Sequence, residues 1–353
     1  MIELINIKKS DYWDRIVKSF PCYDVYYLSS YVKAFQKHGD GEPHLFYYNK
    51  DGLECIWVMM IRDIASDIRF KDIIKTRSYY DIISPYGYGG GVVKGNIDND
   101  NLKLLCKQYT NFLYNEGVIS SFTRYHPLLN NAEYFKNYLN IEEIGLTITI
   151  DISSKDIIWS NVSSKNRNMI RKALKYGIRV EHGKDYSLLQ LFQGIYNETM
   201  LRDQADSYYY FNNSFYDSIF FDLEDNYELF YAIYNNKIIS MAIILYANEK
   251  IHYHLSGTLY EYRNLAPNNL LLYSVACWGN DHGFKKFHLG GGIASSIDNL
   301  YKFKQAFNTK SSNKFFVGKD IINQNKYDYL VEMRKKSDKY FDINKLFFPL
   351  YRS

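Results

Sequence analysis

Tyr227-Glu228-Leu229-Phe230-Tyr231-Ala232-Ile233-Tyr234, then Asn235-Asn236, then Lys237-Ile238-Ile239-Ser240-Met241-Ala242-Ile243-Ile244-Leu245-Tyr246 reads as a strand, a two-residue turn and a second strand. A third strand at Ile251 to Leu255 extends the hairpin to a meander. An earlier stretch repeats the pattern: Pro43 to Tyr48, the turn Asn49-Lys50-Asp51-Gly52 with its Asp-Gly hairpin signal, and Leu53 to Ile61. Each hairpin is followed by a helix. In the first half Asp100 is the expected cap of a helix with Leu104, Leu105, Tyr109, Phe112 and Leu113 on one face and Gly117 past its end. In the second half Pro267 opens a helix carrying Leu271, Leu272, Val275 and Trp278, with Gly283 as its stop. Strands at Ile119 to Tyr125 and Lys286 to Leu289 complete the two series. The order predicts an α/β (α+β) protein of two tandem units, divided near the alternating strand at Thr147 to Ser153.

With 353 residues the chain is long enough for one large domain or two smaller ones, each with an ample core. Its four cysteines, Cys22, Cys55, Cys106 and Cys277, are scattered and form no C-x-x-C pair, which fits a reducing cytoplasm. Glu3, Lys8, Lys9 and Asp11 leave no room for the apolar core of a signal peptide. The longest apolar run, Ile238 to Ala247, is far shorter than the roughly 20 residues that span a bilayer. A net charge of +4 does not argue for nucleic acid, and no DNA partner is expected, although it suits an anionic small substrate. The 36 tyrosines go with abundant Asn, Ile and Lys, as an AT-rich genome would produce.

His288-Leu289-Gly290-Gly291-Gly292, followed by Asp298-Asn299-Leu300 and Phe303-Lys304-Gln305-Ala306-Phe307, carries the strongest chemical signal. An apolar strand opening into three glycines lets a substrate approach the main chain, and Lys304 follows close by. The run lacks the Gly-Lys-Ser/Thr ending of a P-loop and the spacing of a dinucleotide fingerprint. No His-Glu-x-x-His is present, the eight histidines show no metal-ligand spacing, and no G-x-S-x-G elbow occurs, so no metal is expected.

Other polar clusters adjoin apolar elements. Asp81 to Gly91, with Tyr86, is a turn between strands or a wall of a substrate cleft. In Phe122-Thr123-Arg124-Tyr125-His126-Pro127, Arg124 and His126 alternate to one strand face, where they meet an anionic substrate or form a structural ion pair. Ser163 to Gly177 is a serine-capped helix that buries Met169, Ile170, Ala173 and Leu174. It carries Lys165, Arg167, Arg171, Lys172 and Lys175 outside, as a solvated face or a phosphate landing site. In Glu198-Thr199-Met200-Leu201-Arg202-Asp203, Glu198 and Arg202 are spaced to pair, unless Arg202 turns to clamp a diphosphate. Tyr253-His254-Leu255-Ser256-Gly257 leads through Arg263-Asn264-Leu265-Ala266-Pro267-Asn268-Asn269 to a helix start, whose amides bind phosphates or a carbonyl, or are capped by Asn268.

In this order the clusters resemble the FemA/FemB/FemX family of peptidoglycan bridge-forming aminoacyltransferases and their GNAT-like acyltransferase relatives. The similarity covers most of the chain and rests on the Asn166-to-Gly177 helix, Thr199-x-x-Arg202, the Arg263-to-Asn268 loop and the block from the glycines to Phe303-Lys304-x-x-Phe307. It implies two tandem GNAT-like domains, each a mixed, mostly antiparallel sheet flanked by helices. Residues 1–150 and 151–312 would form the domains, with 313–353 returning to the first. It also implies that Lys304, beside Phe303, stabilises charge on the acyl donor and that Arg202 binds the acceptor's diphosphate. Arg124, His126, Tyr253, Ser256, Asn268, Tyr86, Gly290 and Gly291 are the further substrate-binding candidates. The family's N-terminal lysine has two candidate matches, Lys33 and Lys37. Where bridge-forming members have Asp-Pro after an Arg-containing strand, this chain has His126-Pro127, and it lacks a long charged heptad arm.

These implications lead to direct transfer of an acyl group to an amine, with no covalent enzyme intermediate. His126, His254 and Glu198 are candidate bases. No tightly bound cofactor is expected. Acyl-CoA is the preferred donor and aminoacyl-tRNA the alternative. The acceptor would be a nucleotide- or lipid-linked sugar precursor of the cell envelope, with peripheral contact with a membrane-bound substrate. The alternative of another class is a non-catalytic carbohydrate-binding or scaffold protein whose tyrosines stack on sugars.

Overall fold

A computed structural model describes residues 1–353, which divide into two units: Met1–Ile144 with Phe315–Ser353, and Gly145–Lys314. In the first unit β1 (Ile2–Asn6) leads through α1 (Ser10–Lys18) and α2 (Ser29–His38) to the hairpin β2 (Glu42–Lys50) and β3 (Leu53–Asp63). Strand β3 pairs antiparallel with both β4 (Tyr80–Ile83) and β5 (Val92–Gly95). Helix α3 (Asn99–Asn115) then returns the chain to β6 (Val118–Arg124), parallel to β4, followed by the short α4 (Ala132–Phe135).

The second series begins with β7 (Ile141–Asp151), α5 (Lys155–Asn161), α6 (Ser164–Lys175), β8 (Arg179–Gly183), α7 (Tyr186–Arg202) and α8 (Asn213–Phe221). The meander β9 (Tyr227–Tyr234), β10 (Lys237–Ala247) and β11 (Lys250–Thr258) leads into α9 (Pro267–Asp281), β12 (Lys286–Gly290) and α10 (Asn299–Gln305). Strand order is β7-β12-β11-β10-β9-β8, antiparallel except for β11 beside β12. The chain ends with β13 (Asn313–Ile321), antiparallel to β6, and α11 (Gln324–Ser337). No helix is long and apolar enough to cross a membrane.

Both hairpins turn on residues held at positive φ: Asp51 and Gly52 in one, Asn235 and Asn236 in the other. These residue types tolerate that region, and such turns match the twist of paired strands. In the second unit α9 rests on β9, β10 and β11, and α6 packs on α9. Gly279 makes this seat possible, because a Cβ there would meet Ile251 and Ile152 Cδ1 atoms at 2.7 and 2.8 Å. Ile150, Ile170, Ile244, Leu271, Val275 and Phe287 are among the side chains that fill the resulting core.

Several local expectations are corrected. Asp98, not Asp100, caps α3 by accepting from the Asn101 amide. Leu174 is exposed rather than buried, and Asn166 is buried with Ile170 and Ala173 on the inner face of α6. Strands β1, β4, β5, β8 and β13 were not read from the sequence. In β4 the buried Asp81 interrupts the apolar signal; it is matched by Arg62 at 2.6 Å and Arg352 at 2.5 Å, and accepts from Tyr351 Oη at 3.0 Å. Such a pairing satisfies a buried carboxylate but cannot be foreseen from a partner 271 positions away.

Candidate active site

Strands β11 and β12 run parallel but pair only from Lys250↔Lys286 to His252↔His288. Beyond that point β11 continues to Thr258 and β12 to Gly290, so their facing edges part. At the same place β11 bulges: Leu255 opposes Ile243 and Tyr253 opposes Ile244, leaving His254 as the extra residue. A bulge re-aims side chains and interrupts the ladder. Parted parallel strands at their carboxyl ends form a crevice in which ligands bind in open α/β sheets.

The glycine run lies at the mouth of β12. Gly290 has φ +76°, a Cβ on Gly291 would stand 2.8 Å from the Leu146 carbonyl oxygen, and a Cβ on Gly292 would strike Asp298 Oδ1. Asp298 caps α10 by accepting from the Tyr301 amide at 2.7 Å and also accepts from the Ile293 amide at 2.9 Å, which holds its carboxyl below the usual carboxylate range. One carboxylate therefore ties the glycine loop to the helix bearing Lys304. That lysine is 8% exposed, and its Nζ donates to the Gly291 carbonyl at 2.7 Å. Burial lowers its pKa to about 8, with Asp298 opposing the fall. An ammonium has three donors; one holds the loop and two remain for a bound group. Phe303, half-buried on the same helix, packs edge-on to Phe307 at 5.5 Å.

Thr199 and Arg202 act on one residue of β11. The Thr258 amide donates to Thr199 Oγ1 at 3.1 Å, and Arg202 Nη1 donates to the Thr258 carbonyl at 3.0 Å. The expected Glu198–Arg202 pair is replaced by Arg202 with Asp203 at 2.9 Å, and Glu198 is exposed. Arg202 also stands 5.8 Å from the Tyr260 ring, against which Arg263 packs at 3.4 Å, so two guanidinium groups flank one tyrosine at the end of β11. Paired guanidinium groups suit phosphate oxygens.

Asn268 does not cap α9; that position is Ala266, at φ +60°. Its Oδ1 accepts from Ser240 Oγ at 2.5 Å and Thr258 Oγ1 at 3.0 Å, bracing β10 and β11. Tyr253 Oη donates to Ser256 Oγ at 2.5 Å across the bulge, and burial pushes the phenol up to about 12. Burial, reinforced by nearby His252, brings His254 down to about 3, so its imidazole is neutral across the physiological range. Within the second unit Lys304, next to Phe303 on α10, holds Gly291 just after Gly290 of β12, whereas Tyr253 and Ser256 lie on β11 and Asn268 and Arg202 contact Thr258 at its end.

Arg124, His126 and Tyr86 lie in the first unit. Strand β6 ends at Arg124, whose guanidinium lies 5.0 Å from the Phe122 ring. His126 is buried: Nε2 faces Asp24 Oδ2 at 3.0 Å, and Nδ1 accepts from the Leu128 amide at 3.2 Å. His126 thus faces Asp24 in the interior, while the Arg124 guanidinium lies over Phe122. Tyr86 stacks on Phe35 and accepts from Tyr31 Oη through its carbonyl at 2.5 Å. Asn131 was missed by sequence reasoning. Its Oδ1 accepts from the His126 amide at 2.8 Å, while Nδ2 donates to Gly89 and Gly91 carbonyls at 2.9 and 3.0 Å. An isolated asparagine in a loop gives no signal of such a role.

Residues 160–304 match the family described as "Acetyltransferase (GNAT) domain", a span that holds the parted strands and ends on Lys304. The crystal structure of FemX aligns with 93% of this chain and 99% of its own, at a TM-score of 0.66 and 16% identity. The chain shares the fold of FemX. The FemX-like fold recurs in the C-terminal domain (DUF2156) of a putative lysylphosphatidylglycerol synthetase from Agrobacterium fabrum, with TM-score 0.57, 11% identity and coverage of 93% and 95%. A conserved protein of unknown function from Bacteroides thetaiotaomicron is also similar, with TM-score 0.52, 11% identity and coverage of 91% and 100%. No curated protein matches the sequence significantly. The resemblance to the FemA/FemB/FemX family and its GNAT-like relatives, first carried by motifs, is present in the fold: α/β (α+β), with tandem GNAT-like domains of mixed, mostly antiparallel sheets flanked by helices.

Proposed function

We propose that this protein is an acyltransferase that forms an amide on an amino-sugar or peptide of a cell-envelope precursor, with acyl-CoA as donor. The observation that carries the reading is the buried Lys304 ammonium held on the Gly291 carbonyl beside the parting of β11 and β12. The acceptor amine attacks the acyl carbonyl as a free base, and the oxygen gains negative charge. The amine then gives up its proton, the carbon–sulfur bond breaks, and the thiol leaves. The Lys304 ammonium stabilises the oxyanion at its most charged point, where a preorganised donor has its largest effect. His254 is neutral, but burial holds its pKa near 3 and leaves it only weakly basic, so the amine's proton passes to solvent or to another group. Arg202 and Arg263 would take the phosphates of a nucleotide- or lipid-linked acceptor.

Similarity to FemX over nearly the whole chain supports a second donor, aminoacyl-tRNA. The two are separated by presenting the purified protein with labelled acetyl-CoA and with charged tRNA, each with an amino-sugar nucleotide acceptor. Label should pass from acetyl-CoA. Transfer from tRNA alone would reverse the donor assignment, and transfer from neither would remove the catalytic reading.

A further inference from the structure

The apolar cluster of Ile64, Phe70, Ile74, Tyr327, Leu330 and Tyr351 supports two exposed segments of the first unit. One is the loop after β3, residues 66–77. The other is the stretch after α11, residues 338–352. They are fastened together: Arg352 binds Asp67 at 2.6 Å, Arg69 Nη1 donates to the Arg352 carbonyl, and Phe70 contacts Tyr351 edge-on at 6.0 Å.

Each buried anchor has an exposed apolar neighbour. Ile68 is 86% exposed and Ile73 is also exposed beside buried Phe70 and Ile74; Leu346 is 98% exposed and Phe347 half so beside Phe348. Tyr340, at 82%, and Ile343 complete the set. Single exposed apolar residues are ordinary, but six on two segments fastened to one cluster are a patch, and such patches mark interaction surfaces. Cations accompany them. Lys71, Lys75 and Arg77 are exposed on the first segment; Lys335, Lys336, Lys339 and Lys345 are exposed on or beside the second. Of the neighbouring acids, Asp67 is neutralised by Arg69 and Arg352, and Asp338 by Arg334. Glu332 is paired with Lys335, so Asp72 and Asp342 remain against six cations.

We infer that these two segments form a docking surface for an anionic lipid bilayer. Lysine, isoleucine, leucine, phenylalanine and tyrosine together match the membrane interface: the aliphatic and aromatic groups enter the headgroup boundary while the ammonium groups meet phosphates. A nucleic acid would use the cations but has no need of Leu346 and Ile68. The inference goes beyond the proposed transferase activity. A lipid-linked acceptor would thereby be met at the surface that carries it.

Flotation of the full chain with vesicles tests this without any acyl donor or acceptor, so its outcome is independent of the catalytic reading. The chain should float with phosphatidylcholine vesicles containing roughly one third phosphatidylglycerol and much less with phosphatidylcholine alone. The double variant Ile68→Asp, Leu346→Asp should lower partitioning by about tenfold or more with an unchanged circular dichroism spectrum. Lys336→Glu with Lys339→Glu, both at exposed sites, should weaken binding to anionic vesicles selectively. Failure of the intact chain to float, equal flotation of the Ile68/Leu346 variant, or a self-associating dimer that Leu346→Asp dissociates without vesicle binding would overturn the inference.

Discussion

Replacing Lys304 by methionine keeps the length of the side chain while removing its charge and its hydrogen bond to Gly291. Burial takes the lysine from its ordinary 10.5 to about 8, which corresponds to roughly 3 kcal/mol against the buried cation. Relief of that penalty offsets the loss of a donor to the Gly291 carbonyl, which costs about 1–3 kcal/mol. Lys304→Met should therefore unfold in urea within about 2 kcal/mol of the parent at pH 7. Catalysis should respond differently. Losing one oxyanion donor raises the barrier by about 2.7–4 kcal/mol, a fall in kcat of about a hundred- to a thousandfold. The pH dependence follows from the same depression. Between about 8 and 10.5 the unfolded lysine holds a proton that the folded one has released, so the contribution of Lys304 to stability rises with pH across that window. Activity that needs the ammonium should fall as pH passes about 8. Steady-state kinetics and urea titrations over this range decide the matter. A fully folded Lys304→Met protein with parental kcat, or activity that climbs through pH 8 and beyond with Lys304 as its determinant, would refute the role.

Other outcomes follow from single contacts. Thr199→Val removes the acceptor of the Thr258 amide and should cost about 1–3 kcal/mol in urea unfolding. Gly257→Ala places a Cβ 2.7 Å from the Ile195 carbonyl oxygen, forcing α7 off β11; a loss of about 1–3 kcal/mol, read as a lower Tm, is expected. Asn131→Ala orphans the His126 amide and the Gly91 carbonyl, the Gly89 carbonyl keeping Tyr27 Oη, and should destabilise by about 2 kcal/mol or more, measured by thermal and urea unfolding. Arg202→Lys retains charge but loses the forked grip on Thr258 and Asp203. It should raise KM for a diphosphate-containing acceptor more than Arg202 chemistry at the acyl centre would, with kcat changed less than in Lys304→Met.

The hairpins were legible because alternation and turn chemistry act within a few residues, as at Asn235-Asn236. The α9 helix was legible from Pro267 and its apolar face. What escaped depends on distance along the chain. Asp81 reads as a break in a strand until Arg352 arrives to neutralise it, and Asn131 is an ordinary loop residue until the glycines fold around its amide. The glycine run and Lys304 stood out as a pair, but their connection through Asp298 and the Gly291 carbonyl is a property of the folded turn. Nor does periodicity tell where β11 and β12 stop pairing. Thr199 and Arg202 were legible as a motif, whereas their shared hold on Thr258 appears only when α7 lies on β11.

A crystal structure with a non-hydrolysable acyl-CoA analogue would locate the chemistry itself. The account predicts the acyl carbonyl between the parted ends of β11 and β12, with its oxygen within about 3 Å of Lys304 Nζ or a β11 amide. An analogue bound with its carbonyl away from both, while Lys304 keeps only its bond to Gly291, would contradict it.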